Sequence, residues 1–280
     1  MMVKIRNIYF IFVTILPLLL YPAFTPTTVK EIPDYNGEKM SYNVKISVFN
    51  IGKAIILFKD TSDCGSYIRA EAKSTGISRL FVTINYLYDC CMNSSTGLPE
   101  KITRSLLEND FFEHNEVRFD HLSRKDSTIL YSLLSGRKVV PRKILDILTG
   151  FYHFRKNYID QCVKNKRDVV IQTYFTDEIW NLRIRYAGTE TINTIFGKVR
   201  CLKFKPATII GRFFRHDDDM TIWITDDKYK IPVRIHLNMK IGAIQGELVG
   251  YKGVIKNETG RKILGQTAQE NFKISRQSLH

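Results

Sequence analysis

From Gly37 onward apolar residues recur at every second position, the mark of strands that bury one face. Tyr42, Val44, Ile46 and Val48 alternate with Ser41, Asn43, Lys45 and Ser47. Asn50-Ile51-Gly52 then turns the chain and Ala54, Ile56 and Phe58 resume the pattern, which predicts a hairpin. After a second turn at Thr61 to Gly65, the stretch Tyr67 to Lys73 sets Arg69, Glu71 and Lys73 on one face and the small Ala70 and Ala72 on the other. The charged face is expected in water. Ile84–Tyr88, Lys101–Leu107, Glu113–Phe119, Val169–Phe175, Trp180–Tyr186, Val199–Phe204, Met220–Ile224, Ile231–Leu237 and Ala243–Tyr251 read as further short strands between Asn-, Gly-, Asp- and Pro-rich turns.

One segment leaves this period. Val140 to Tyr152 places Ile144, Ile147, Leu148, Phe151 and Tyr152 on one face at helical spacing, with Pro141 near the first turn. Ser74 to Phe81 offers a second, shorter helical turn. The predicted fold class is therefore all-β: an antiparallel, highly curved sheet or open barrel of about 11–14 short strands with one amphipathic helix.

The ends differ from the middle. Lys4 and Arg6 precede an apolar run from Ile8 to Leu20, the order of a signal peptide. Ile8 to Phe24 is shorter than the roughly 20 apolar residues that span a bilayer, and Pro17 and Pro22 weaken it as a helix. Residues 1–25 read as a cleaved leader rather than an anchor, 26–36 as an extended lead, 37–255 as a single β-rich domain and 256–280 as a polar tail without a periodic pattern. Cysteine first appears at Cys64, so no lipid-attachment site follows the run. The expected location is the periplasm or cell envelope, without lipidation.

A formal charge of +14 suits anionic glycans, lipid headgroups or a membrane face, and nucleic acid is a poor match to that compartment. Cys64, Cys90, Cys91, Cys162 and Cys201 show no metal-binding spacing. Vicinal Cys90 and Cys91 would point to opposite faces of a strand and so need different partners, and an oxidising compartment allows one long-range disulfide.

Catalytic signatures are scarce. Asp217–Asp219 and Asp226–Asp227 flank one short strand roughly 20 Å long, too far apart to share a scissile bond, and read as turn residues. The histidines at 114, 121, 153, 216, 236 and 280 show no zinc pairing. A serine elbow and a phosphate-cradling glycine loop are both lacking in the sequence. Cys201 lies among Lys198, Arg200, Lys203 and Lys205, which would favour a thiolate, yet cysteine is more often buried. No cofactor and no metal are expected. Aromatics interleaved with arginines are the more informative group. Tyr86, Tyr88, Trp180, Arg183, Trp223 and Arg234 are the candidate ligand-binding residues, for a groove that takes a lipid or an anionic glycan; a plain core is the competing use of such side chains.

Several stretches taken in order resemble the exported bacterial family known as domain of unknown function 3108, in the branch found in Bacteroidetes. They are Gly37 to Tyr42, Arg104 with Glu108, Phe119-Asp120-His121, Val140-Pro141 with Asp146 to Leu148 and Phe151-Tyr152, Gly197 to Cys201, Asp218 to Asp227, and Ile231 to Arg234. The resemblance implies a secreted, β-rich open barrel, and supplies no catalytic residues. Three functions are expected in turn: a non-catalytic envelope protein that binds an apolar or anionic envelope molecule or aids surface assembly, a hydrolase or lyase on envelope polysaccharide, and a structural subunit of a periplasmic complex; an envelope protein and a peripheral membrane contact are the expected partners besides the lipid or glycan.

Overall fold

The computed structural model describes residues 34–253, apart from 81, 208–215, 217 and 240–241. The leader and tail readings therefore lie outside the described residues. The described residues all belong to one compact unit.

The first strands are β1 (Lys39–Ile46), β2 (Phe49–Thr61), β3 (Gly65–Ser74), β4 (Ile84–Met92), β5 (Pro99–Glu108), β6 (Phe111–Asp120), β7 (Ser127–Ser132) and β8 (Gly136–Pro141). After them come β9 (Leu145–Asp146), β10 (Val169–Phe175), β11 (Glu178–Thr194), β12 (Gly197–Pro206), β13 (Met220–Thr225), β14 (Pro232–Met239) and β15 (Gly242–Lys252). All belong to one sheet ordered β8-β7-β6-β5-β4-β3-β2-β1-β15-β14-β13-β12-β11-β10-β9. The chain starts mid-sheet, walks outward to β8, crosses to the opposite edge at β9 and walks back until β15 pairs with β1. Every pairing is antiparallel except β9 with β10.

Only residues 142–144 join β8 to β9, so the two outer edges lie within about 14 Å of each other along the chain. A sheet of this width meets that limit only by curling, and bulges at Ser41/Tyr42, Val44/Lys45, Cys91/Met92, Tyr186/Thr189 and Trp223/Ile224 supply bends. A side-chain seam then ties the edges. The Asp177 carboxylate, in the β10–β11 turn, accepts from Asn115 Nδ2 (2.9 Å), Ser132 Oγ (2.7 Å), Ser135 Oγ (2.7 Å) and Tyr174 Oη (2.8 Å). Lys138 Nζ donates to the Asp177 carbonyl at 2.6 Å. Thr176 and Asp177 both have positive φ, unusual for a β-branched residue, and the seam holds that turn.

Inside the curl runs one continuous helical segment: α1 (Ile147–His153), a π-helical turn (Phe154–Tyr158) and α2 (Ile159–Asn165). Asp146 caps it, accepting from Leu148 N and Thr149 N, while Thr149 Oγ1 accepts from Asp146 N. Gly150 lets α1 approach β10: a Cβ there would sit 3.0 Å from Thr173 Cγ2. The helix begins later than the apolar spacing predicts, since Pro141 closes β8, and it continues past Tyr152. Gly76–Leu80 is a 3-10 turn, at the place where a shorter helical turn is expected.

Leu148 and Tyr152 pack with Phe58, Ile68, Cys90, Ile102 and Val117 from one half of the sheet. Phe154, Ile159 and Cys162 pack with Ile171, Ile184, Leu202, Phe204 and Ile224 from the other. Cys90 points into this core and Cys91, facing away, forms a disulfide with Cys64, so the vicinal pair splits between faces as strand geometry requires.

Candidate ligand-binding site

Antiparallel strands alternate their ends, so the sheet has two edges of strand ends. At the first edge, Glu38 and Arg155 form a wholly buried ion pair. Arg155 Nη1 and Nη2 donate to the two Glu38 carboxylate oxygens at 2.7 and 2.8 Å, and its remaining donors reach the carbonyls of Lys230 (3.0 Å) and Tyr229 (3.2 Å). Tyr152 and Tyr251 hydroxyls donate to the same carboxylate at 2.9 and 3.1 Å. Burial disfavours the Arg155 charge and the Glu38 carboxylate more than offsets it. With every group satisfied, the pair fastens the π turn to β15, to the β13–β14 turn and to the start of β1.

Toward the second edge the helix no longer covers the inner face. Register fixes what lines it. Tyr42 pairs with Ala54, Ala54 with Ala72, Ala72 with Tyr86 and Tyr86 with Leu106. One step further out Val44 pairs with Gly246, which pairs with Ile235, and then Ile46 pairs with Ile244, which pairs with Leu237. Val44, Ile46, Ala54, Ala72, Tyr86, Leu106, Ile235, Leu237 and Ile244 are all half-buried, neither packed away nor fully in water. Small residues (Gly52, Ala54, Ala70, Ala72, Gly246) keep the floor low, while Tyr86, Tyr88 and Leu106 raise one wall. The Arg104–Glu113 ion pair adds charge on the same inner face. The result is a half-exposed apolar stretch of the inner face with a sparse polar border, here termed the trough, whose composition suits an apolar or amphipathic ligand; the pocket lined by Arg69, Glu71, Leu87, Leu107 and Phe112 lies on the opposite face.

The phenols carry the polar side. Tyr86 Oη donates to Glu108 at 3.1 Å; burial, and then the Glu108 charge, push it up to about 12. Tyr88 Oη is buried without a hydrogen-bond partner among the described residues. Burial, and next the Asp146 charge, raise Tyr88 well above the ordinary phenol value, so both are hydrogen-bond donors at neutral pH.

The sequence candidates separate into two sets and a remainder. Tyr86 and Tyr88 stand on the trough wall, and Tyr88 lies 6.2 Å from Phe175, whose carbonyl accepts from Trp180 Nε1 at 2.9 Å. Trp180 shares the inward face with Leu182 and Ile184. Arg183, on the opposite face of β11, is 3.9 Å from Asp168. Trp223 and Arg234 are cross-strand partners on the face away from the helix. The Trp223 ring is 8% exposed, its Nε1 donates to Glu190 at 3.0 Å, and Lys203 and Arg234 stand 5.3 and 5.9 Å from its centre. Both cations are already paired, Lys203 with Glu190 and Arg234 with Glu247. The sheet therefore brings Tyr86 and Tyr88 to one surface and keeps Arg183, Trp223 and Arg234 off it. Alternation alone does not register the trough residues Ala54, Ala72, Leu106, Ile235 and Ile244, because half-buried and fully buried strands share one period.

Reactive groups are engaged elsewhere. Cys90, Cys162 and Cys201 are buried, and burial raises each thiol, Cys201 to about 12. Asp218 pairs with Lys205, Asp226 with Arg200, and Asp227 accepts from Thr225 Oγ1, Tyr229 N and Lys230 N, the bonding of turn closers. His121 stacks on Phe119, bonds Thr128 Oγ1 and the Pro99 carbonyl, and burial lowers its pKa. Among the described residues no three His, Cys, Asp or Glu side chains gather as a metal site.

The profile of a protein family of unknown function, DUF3108, matches residues 41–249. Among solved structures, the chain is similar to a β-barrel-like protein of the DUF1849 domain of unknown function from Brucella abortus. That likeness has 6% identity and a TM-score of 0.54, and covers 82% of this chain and 100% of the other. A putative exported protein with a YmcC-like fold from Bacteroides fragilis aligns at 13% identity over 79% of this chain and 98% of that one, with a TM-score of 0.32. No curated protein matches. The first likeness speaks to the curled-sheet fold.

Proposed function

The chain belongs to the DUF3108 family, and on that footing we propose that it is a non-catalytic, exported envelope protein that holds an apolar or amphipathic envelope molecule, a lipid, in the inner trough. One observation carries this reading: inward-facing Val44, Ile46, Ala72, Leu106, Ile235, Leu237 and Ile244 remain half-bare where the helix stops. An inner sheet face with no ligand would be expected to carry polar side chains or a longer plug, because each apolar side chain left in water forgoes roughly 1.5–3 kcal/mol of burial. The half-exposed Tyr86 with its Glu108 partner gives a headgroup a polar contact, and Arg104 a cation beside Glu113, while the Tyr88 hydroxyl stays buried. A hydrolase or lyase is disfavoured, since the thiols are buried and the acidic turns are spent on turn closure.

Native mass spectrometry of the protein purified from its own envelope, followed by lipid and glycan extraction, tests the reading. A stoichiometric lipid supports it. An empty protein, or one that arrives with another polypeptide, replaces it with the structural-subunit reading.

A further inference from the structure

The second edge, where the trough opens, carries an unusual concentration of exposed apolar side chains. Val48 (81% exposed) and Phe49 (71%) tip the β1–β2 hairpin, and Phe111 (58%) and Phe112 (64%) begin β6 just after the β5–β6 turn. These are the three exposed phenylalanines among the described residues. Leu133 and Leu134 stand exposed in the β7–β8 turn, which falls at the same end of the strands. The two hairpin tips belong to one rim. Thr75 N and Ser78 Oγ both donate to the Ile51 carbonyl, while Asn109 N donates to the Thr83 carbonyl and Thr83 N to the Asn109 side chain. The 3-10 turn thus bridges one tip to the other, and four strand spacings, from β2 to β6, set them about 19 Å apart.

From this geometry we infer that the rim is a docking surface for a lipid bilayer, with Phe49 and the Phe111-Phe112 pair inserted into the headgroup–acyl boundary. Separate protruding tips suit a fluid surface better than a rigid partner, which needs one continuous complementary patch of about 800 Å². Aromatic and aliphatic side chains at a polar border are what the bilayer interface accepts. Lys53 and Arg79 are exposed beside the tips, and Glu108 and Asp110 border the second, so rim charge is mixed and apolar insertion carries the contact. The net charge of +14 assists approach to anionic lipid. The assignment deepens the lipid-binding reading, because it places the trough mouth against the phase from which an acyl chain would enter.

The test places tryptophan at single positions of the full chain and measures quenching by vesicles of phosphatidylglycerol and phosphatidylethanolamine with brominated acyl chains. Leu122, 93% exposed at the opposite edge, is the control position, and it shares the same N-terminus. Phe49→Trp and Phe112→Trp should be quenched and Leu122→Trp should not. Val48→Ser with Phe49→Ser, or Phe111→Ser with Phe112→Ser, should each weaken vesicle partitioning about tenfold, and the binding should persist in 1 M salt, roughly where charge attraction is screened within 3 Å. Equal quenching at all three positions, or none at 49 and 112, overturns the docking surface. Uptake of a fluorescent fatty acid by the same protein without vesicles reports the trough separately. Uptake with no tip insertion sinks the docking surface alone, whereas insertion without uptake leaves it standing and removes the ligand reading.

Discussion

The two edges of the sheet are built from the same strands and the same alternation, yet they end differently. At the first, α1 and the π turn fill the curl and Arg155 locks them to Glu38. At the second, residues of equal hydrophobicity, Val44, Ile46, Ile235 and Ile244, lie on the same inner face, half-buried and outside the clusters that pack around the described helix. The contrast teaches that apolar patterning reports which face points inward and leaves open whether protein or ligand fills the space. The first edge is closed by the helix and its buried ion pair, and the second by the Asp177 seam between turns, which leaves part of the inner face half-exposed.

Breaking the closed edge should have the largest effect. Arg155→Ala leaves the Glu38 carboxylate buried without its ion partner, and loss of one member of a buried pair costs about 3–5 kcal/mol. Urea unfolding should show that loss, and a change below about 1 kcal/mol would mean that water reaches Glu38. Trp223→Ala comes next. Its ring is nearly buried and its indole N–H is committed to Glu190, so about 3 kcal/mol should be lost, in the range for large core truncations. An unchanged melting temperature with lost ligand would return Trp223 to the binding surface.

The seam between the outer edges should cost less and should depend on pH. Asp177→Ala removes an acceptor shared by Asn115, Ser132, Ser135 and Tyr174, worth about 1–3 kcal/mol. Burial pushes the Asp177 carboxyl up, but those hydrogen bonds and the Lys138 charge pull it further down, so it ends below the ordinary carboxylate value. A depressed folded value means that the contribution is present above the unfolded pKa of about 3.9 and fades as pH falls through the lower folded value. Wild type and Asp177→Ala should therefore converge in stability under acid below about pH 4. A gap that stays constant to pH 2 would show that the carboxylate charge is irrelevant to the seam.

Alternation from Tyr42 to Phe58 and from Tyr67 to Lys73 reads directly as strand and places Ala70 and Ala72 inward, where they lie. Ser127–Ser132 is buried on both faces, so it shows no period of two and is lost as a strand, and β8 ends on the proline that looks like a helix start. Asp146 and Thr149 form a capping box that marks the true helix start locally. Beyond Phe154, Arg-Lys-Asn reads as a solvated end, because the partner that buries Arg155 is 117 residues away. The same distance problem hides the trough: Leu106, Ala72 and Ile244 look like any core positions until the helix is seen to stop short of them.

The smallest stability effect belongs to the open edge, and there a null result is informative. Leu106→Ser replaces an inner-face side chain that is half exposed, with Tyr86 and Glu113 as its cross-strand neighbours. Truncation at such a position leaves no sealed cavity and should shift unfolding by less than about 1 kcal/mol. If the trough holds an acyl chain, the same change puts a hydroxyl against it and should lower retained lipid several-fold in native mass spectra, at unchanged melting temperature. Tyr86→Phe separates the two parts of the site: it keeps the apolar wall and removes the donor to Glu108, so an acyl-chain ligand should be retained and any headgroup preference relaxed. A large stability loss at Leu106 with no change in lipid would make the second edge an ordinary core, and the asymmetry between the edges would then be one of packing density alone.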